Sequence, residues 1–182
     1  MGKHRIRDGW KRITKLTSYA LLGDRNLRYV FWHHSVTSLP YEYRKHIKWE
    51  RDAVTRKARK RARRQAKKLE REHMRTLESI ALNRGFAGIS YTLVHFPSGR
   101  VYQGRSFKRV GAHTLGYNEK GYGLVSVGNY ETEEPTPLLL AALAASERKG
   151  KKWGRIAKDA RRLPHSVVSP TACPGKNLRK HL

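Results

Sequence analysis

Apolar residues cluster in four short segments whose pattern predicts β-strands. The first, residues 27–37 (LRYVFWHHSVT), is rich in β-branched and aromatic side chains and is followed by a Ser-Leu-Pro stop. Residues 89–105 hold two alternating runs on either side of a Pro-Ser-Gly turn, which predicts a β-hairpin. Residues 122–130 are almost continuously apolar, a pattern typical of a central strand.

Spacings of three and four residues predict helices after the first strand. Between residues 54 and 73, the positions at this spacing are Val54, Ala58, Ala62, Ala66, Leu69 and His73. Because half of this stripe is alanine, it can bury little area, and we expect a helix that protrudes from the domain. The next pattern has a larger apolar face, ends near Gly85 and is compatible with one long helix. Residues 136–150 predict a further helix that begins at Thr136-Pro137.

The charge distribution narrows the possible partners. The chain has 40 Lys and Arg against 14 Asp and Glu, a net charge of +26, and residues 44–75 alone contain fifteen of the cations and four acids. Such a surface attracts nucleic acid, anionic membranes or anionic cell-wall polymers, and charge alone does not choose among them. No run approaches the ~20 apolar residues that a membrane span needs. The mildly apolar residues 16–23 lack a cleavage pattern, and we interpret them as part of the fold rather than as a secretory signal.

The candidate chemistry centres on a single cysteine, Cys173, in a loop between two prolines. It has no partner for an intramolecular disulfide, which leaves packing, nucleophilic chemistry or metal ligation. His165 precedes it by eight residues, and His33 and His34 end the first strand, where adjacent side chains point to opposite faces. Two imidazoles and one thiolate would make a three-ligand zinc set with a fourth position for water. A buried structural cysteine among scattered histidines and a Cys-His nucleophile are the alternatives.

Four segments, in this order, resemble a known family: YVFWHHSVT, GISYTLVHFPSGRVYQGR, GAHTLGYNEKGYGLVSVGN and LPHSVVSPTACPG. Together they are similar to the zinc-dependent N-acetylmuramoyl-L-alanine amidases of the peptidoglycan-recognition-protein and bacteriophage-T7-lysozyme type. The resemblance covers residues 27–38 and 74–178. It implies an α/β fold with a central mixed β-sheet flanked by helices. Residues 1–182 would form a single domain, with a basic helix inserted at about 41–73.

The resemblance implies a Zn²⁺ ion bound by three side chains. His33, as the first histidine of the His-His pair, would be one ligand, and His165 and Cys173 would be the others. His34 would be structural. The two prolines would then hold the loop so that the Cys173 thiolate faces the metal.

The resemblance also implies roles for four further residues. Tyr91 matches the catalytic tyrosine of the family, and Thr171 stands where members carry Lys or Thr near the substrate carbonyl. His113 matches a substrate-pocket residue near the cleft. Asn118, in the same loop, would bind the peptide stem or hold the turn.

The function that the resemblance implies is hydrolysis of the amide bond between N-acetylmuramic acid and L-alanine in peptidoglycan. A non-catalytic peptidoglycan-binding module of the same fold and a basic nucleic-acid-binding protein are the rivals. Residues 56–72 contain no aromatic residue, so we expect any binding of nucleic acid to be non-specific. We expect residues 44–75 to attract the enzyme to anionic wall polymers or a membrane surface. We also expect the enzyme to be a monomer.

The sequence also leads to an expectation about the source of the protein. The lack of a signal peptide and of disulfides, together with the high charge, favours a phage endolysin. Such a bacteriolytic enzyme would be made in the host cytoplasm and would act on the bacterial cell wall.

Overall fold

The computed structural model describes residues 5–7, 9–15, 19–23 and 26–182. Residues 16–18, at the start of the segment interpreted above as part of the fold, lie outside the described residues, so that interpretation stays a prediction. Within the described ranges, no helix combines the length and the apolar character needed to cross a membrane.

Six strands and four helices make up the regular structure of the described residues. The strands are β1 (Ile6–Arg7), β2 (Leu27–His34), β3 (Leu93–His95), β4 (Val101–Gln103), β5 (Gly121–Ser126) and β6 (Ile156–Pro164). The helices are α1 (Tyr41–Asp52), α2 (Arg56–Asn83), α3 (Pro137–Lys152) and α4 (Lys176–Arg179), and a 3-10 turn covers His165–Val167.

The strands form one mixed sheet in the order β1-β4-β3-β5-β2-β6. β3 and β4 are antiparallel, whereas β5 runs parallel to both β3 and β2, and β2 runs parallel to β6. The predicted hairpin is confirmed in a shorter form, and the apolar run at 122–130 is confirmed as a central strand whose six residues are all buried. The predicted α/β fold with a central mixed β-sheet flanked by helices is therefore confirmed.

Helices cover both faces of the sheet. On one face, α3 contributes Leu139 and Leu143 to a core that includes Trp32 of β2 and Leu124 of β5. On the other face, α2 contributes Met74 and Leu77 to a core that includes the sheet residues Val94, Tyr102 and Val125. Because strand side chains alternate between faces, the residue after Trp32, which is His33, lies on the α2 face.

The basic segment, predicted above as an insertion, is a pair of helices rather than a single protruding one. The two helical patterns do fuse into α2, which runs for 28 residues. The expectation of thin packing is wrong for its middle turns, because α1 packs beside α2 and Ala62 and Ala66 are buried. Residues 56–61, at the start of α2, are all exposed as expected.

A buried carboxylate, Glu70, joins the helix pair to the sheet. It is fully buried, and it accepts hydrogen bonds from the Tyr43 hydroxyl at 2.9 Å, Ser98 Oγ at 2.6 Å and the Tyr102 hydroxyl at 2.8 Å. Arg100 Nε lies 2.8 Å from both carboxylate oxygens. These partners come from α1, the β3–β4 turn and β4, so one side chain of α2 connects three separate elements.

Candidate active site

The sheet brings His33 and His165 to the same edge. His33 is the seventh residue of β2, and His165 directly follows β6. The two strands are parallel neighbours, and Trp32 pairs with Pro164. The residues that follow this pair, His33 and His165, therefore lie side by side. The two imidazole ring centroids are 4.6 Å apart.

The loop that carries Cys173 is held against the end of β2. The backbone N–H of Ser166 donates to the Cys173 carbonyl at 3.0 Å, and the N–H of His34 points at Cys173 Sγ at 3.4 Å. Gly175 allows the chain to pass close to the backbone of Tyr130, because a Cβ at this position would lie 2.3 Å from the Tyr130 carbonyl carbon. The loop therefore places the sulfur beside His33 although 140 residues separate the two in sequence.

The three predicted ligands converge. Cys173 Sγ is 3.6 Å from His33 Nδ1, and one donor atom from each of His33, His165 and Cys173 lies within 4.8 Å of the others. Nitrogen and sulfur ligands of tetrahedral zinc, bound at their usual lengths, are about 3.3–3.6 Å apart. His33 and Cys173 are buried whereas His165 is partly exposed, so the cluster is open on one side. The residues present fit a zinc ion in donor type, and the His33–Cys173 distance matches the spacing of two zinc ligands.

The electrostatics of the cluster favour ligation by neutral imidazoles. Burial, together with the nearby His113 and His165, lowers the pKa of His33 well below its ordinary value. Burial also lowers the pKa of His165 and raises the pKa of Cys173 to about 11. Both histidines therefore keep a free lone pair at neutral pH, and binding of a metal would release the thiol proton.

His113 lies behind His33, on the side away from Cys173. Its Nδ1 is 3.3 Å from His33 Nε2, and the Thr114 hydroxyl is 3.5 Å from the same atom. Gly111 and Gly123 leave room for the His113 ring, because a Cβ on either would come within 2.6 Å of it. A buried partner at Nε2 fixes the orientation of a ligand that uses Nδ1. The predicted contact of His113 with substrate stays a prediction.

Asn118 holds the turn in which His113 lies. Its Oδ1 accepts the backbone N–H groups of His113 at 2.8 Å and Thr114 at 3.0 Å. The turn-holding alternative is therefore seen directly, and its contact with a peptide stem stays a prediction.

Tyr91 and Thr171 each lie next to one of the ligands. The Tyr91 ring centroid is 5.1 Å from that of His33, and burial raises the pKa of Tyr91 to about 12, so its hydroxyl keeps its proton at neutral pH. Thr171 is exposed, and its Oγ1 accepts the Cys173 N–H at 3.2 Å. Each hydroxyl therefore has a proton that it can donate, and the predicted roles of both residues stay predictions.

Two residues of this region were not predicted from the sequence. Thr114 touches His33 only because the loop folds back, although its place beside His113 was a hint. Arg84 lines a small cleft with Ser35, Thr37 and Tyr91, next to the cluster. An arginine that directly follows a helix is common, so only the fold shows that it lies near the site.

The sequence of this chain is similar to amidases and peptidoglycan recognition proteins. The sequence profile of the N-acetylmuramoyl-L-alanine amidase family matches residues 23–176. A peptidoglycan recognition protein of Bombyx mori is 38% identical over 81 residues, which are 44% of this chain and 41% of that protein. The N-acetylmuramoyl-L-alanine amidase of Homo sapiens is 36% identical over 96 residues, which are 52% of this chain and 17% of that protein. The matches thus span less than half the length of these relatives.

The fold is also shared with a solved structure. Peptidoglycan recognition protein-LE, a Drosophila melanogaster protein, was solved in complex with tracheal cytotoxin, a monomeric diaminopimelic acid-type peptidoglycan. Its TM-score to this chain is 0.65 at 27% identity, and the alignment covers 83% of this chain and 75% of that one.

Proposed function

Because the chain belongs to the N-acetylmuramoyl-L-alanine amidase family, we propose that it hydrolyses the amide bond between N-acetylmuramic acid and L-alanine in peptidoglycan. The observation that carries the proposal is the convergence of His33, His165 and Cys173, a donor set that fits zinc. The names of the relatives support both the substrate and the reaction.

The metal and the protein would divide the chemistry between them. A zinc ion held by the three ligands would polarise the scissile carbonyl and would lower the pKa of a water molecule to about 7. His113 and Thr114 hold the His33 ring in its ligating orientation. The neutral Tyr91 hydroxyl donates a hydrogen bond to the carbonyl oxygen, where negative charge develops. Thr171 supplies a second hydroxyl in place of a lysine, without a full positive charge.

The partner and the origin of the protein are proposed from the comparisons and from the sequence. We propose that peptidoglycan in the bacterial cell wall is the partner, because a protein of similar structure was solved with a peptidoglycan fragment. Origin as a phage endolysin and synthesis in a host cytoplasm stay predictions. A peptidoglycan-binding module without catalysis is the main rival, and it would not require the complete ligand set that this chain carries.

Metal removal tests the proposal directly. The protein is incubated with purified peptidoglycan, before and after treatment with a chelator, and new α-amino groups of L-alanine are measured. We expect release by the untreated protein, loss of release after chelation and recovery on addition of zinc. Binding to peptidoglycan without amine release would establish the non-catalytic rival. Salt-sensitive binding to DNA with neither wall binding nor amine release would establish the nucleic-acid rival.

Replacing Tyr91 with phenylalanine should separate catalysis from metal binding. Loss of one donor to a developing oxyanion lowers turnover by about a hundredfold to a thousandfold. Bound zinc should be unchanged, because Tyr91 is not a ligand. Tyr41→Phe is the matched control, since Tyr41 lies exposed on α1 and should have no effect. Equal turnover of the Tyr91→Phe variant and wild type would remove Tyr91 from the mechanism.

A further inference from the structure

The most strongly charged surface of the described residues belongs to the helical insertion. We name residues 41–72, which are α1, its connection to α2 and the first part of α2, the basic hairpin. Its exposed acids are Glu42 and Asp52. Its exposed cations are Arg44, Lys45, Lys48, Arg51, Arg56, Lys57, Arg59, Lys60, Arg61, Arg63, Arg64, Lys68 and Arg71.

Two of the other three acids of the basic hairpin, Glu50 and Glu70, are directed towards the sheet or into the helix pair, and the third, Glu72, is partly exposed. Glu50 pairs with Arg100 at 2.6 Å and with Arg63 at 3.5 Å, and Glu70 lies within the buried network that includes Arg100. These carboxylates therefore neutralise charge at the base of the hairpin. The outer surface is left cationic, and its position relative to the sheet is fixed.

The far end of the basic hairpin carries exposed apolar side chains. Val54, in the connection between the helices, is 99% exposed, and Trp49, in the last turn of α1, is 53% exposed. Lys48 and Arg56 flank them along the chain, and Arg51 lies between them. Burial of Val54 and Trp49 is favourable only against an apolar phase. A soluble polyanion would bind the cations and leave these two side chains in water. Aromatic and basic side chains together are typical of proteins that sit at a bilayer surface.

From this arrangement we propose that the basic hairpin docks the protein onto an anionic phospholipid bilayer. Val54 and Trp49 enter the interface between headgroups and acyl chains, and the surrounding cations lie at the anionic headgroups. Each lysine or arginine near such a surface strengthens binding by about fivefold. The base of the hairpin is already anchored to the sheet, so docking does not require it to fold. The proposal is independent of the metal site and of the amidase reaction.

Vesicle binding of the full chain tests this docking. The probes are vesicles of phosphatidylcholine alone and of phosphatidylcholine mixed with an equal amount of phosphatidylglycerol. One variant replaces Arg56, Lys57, Lys60 and Arg64 with glutamine. Its control replaces Arg148, Lys152, Lys158 and Arg161, four exposed cations outside the hairpin, in the same way. We expect binding only to the anionic vesicles, a loss of about a hundredfold or more in the hairpin variant, and a much smaller loss in the control.

A second variant distinguishes a bilayer from a soluble polyanion. Trp49→Ser combined with Val54→Ser keeps every cation and should weaken vesicle binding by about tenfold or more. Its binding to duplex DNA, the probe for polyanions, should not change. Equal losses in the two glutamine variants would overturn the proposal, because net charge and not the hairpin would then be responsible. No effect of the serine pair on vesicle binding would also overturn it and would favour a polyanionic polymer. Circular dichroism of each variant checks the fold.

Discussion

Cys173→Ser is expected to lose its bound zinc and to release no L-alanine amino groups from peptidoglycan above background. A serine hydroxyl is a poor replacement for the thiolate that zinc prefers, and only two protein ligands would remain. The substitution is small, and the His34 N–H that points at Cys173 Sγ keeps a possible acceptor in serine. The fold should therefore survive. The measurements are zinc content by mass spectrometry and amine release at neutral pH.

The adjacent histidines provide a matched control for the same prediction. His33→Gln should lose zinc and activity as Cys173→Ser does. His34→Gln should keep both, because His34 accepts the Tyr130 backbone N–H through Nδ1 at 3.2 Å on the other face of the sheet, and the glutamine oxygen can accept instead. Wild-type zinc content and activity in Cys173→Ser would show that the metal assignment is wrong. Equal loss in both histidine variants would point to damage of β2 rather than to a ligand.

The strands that build the site could be predicted because both of their faces are covered. β2 and β5 are almost entirely buried, and such strands appear in the sequence as nearly continuous apolar runs. β6 was not predicted, although His165 follows it directly. Four of its nine residues are charged, and it lies at the edge of the sheet, where exposed side chains leave no hydrophobic pattern. The site was therefore predicted from the Pro-bounded Cys173 loop alone, and β6, the strand that positions His165, was not predicted.

The packing of α1 and α2 could not be predicted from the sequence for a different reason. α1 buries only Tyr43, so its apolar pattern is weak. Glu70 looks like one acid among many cations, and nothing near it in sequence distinguishes it from an exposed residue. Its burial depends on Arg100, which is 30 residues away, and on hydroxyl groups from three other elements. A contact of that kind is determined by the tertiary fold and leaves no local periodicity.

The buried carboxylate leads to the largest expected loss of stability. Glu70→Gln preserves the shape of the side chain but removes its charge, which leaves the nearly buried Arg100 guanidinium with Glu50 as its remaining ion-pair partner. Two tyrosine hydroxyls and one serine hydroxyl also lose an ionised acceptor. Removing one partner of a buried ion pair costs about 3–5 kcal/mol. We expect a decrease of that size in the free energy of unfolding, measured by urea denaturation.

Two comparisons show whether the charge or the position causes the loss. Glu72→Gln, on the same helix, removes a partly exposed carboxylate that lies 4.0 Å from Lys68, and it should change the free energy of unfolding by less than about 1 kcal/mol. Glu70→Leu combined with Arg100→Met removes both charges, and should be less destabilised than the sum of its single substitutions, because neither charge is left unpaired.

Since Tyr43 and Glu50 tie α1 to the same network, the basic hairpin should open first in Glu70→Gln, and trypsin should cleave its many lysines and arginines faster than in wild type. A Glu70→Gln protein that matches wild type in both stability and cleavage would mean that the network does not anchor the hairpin.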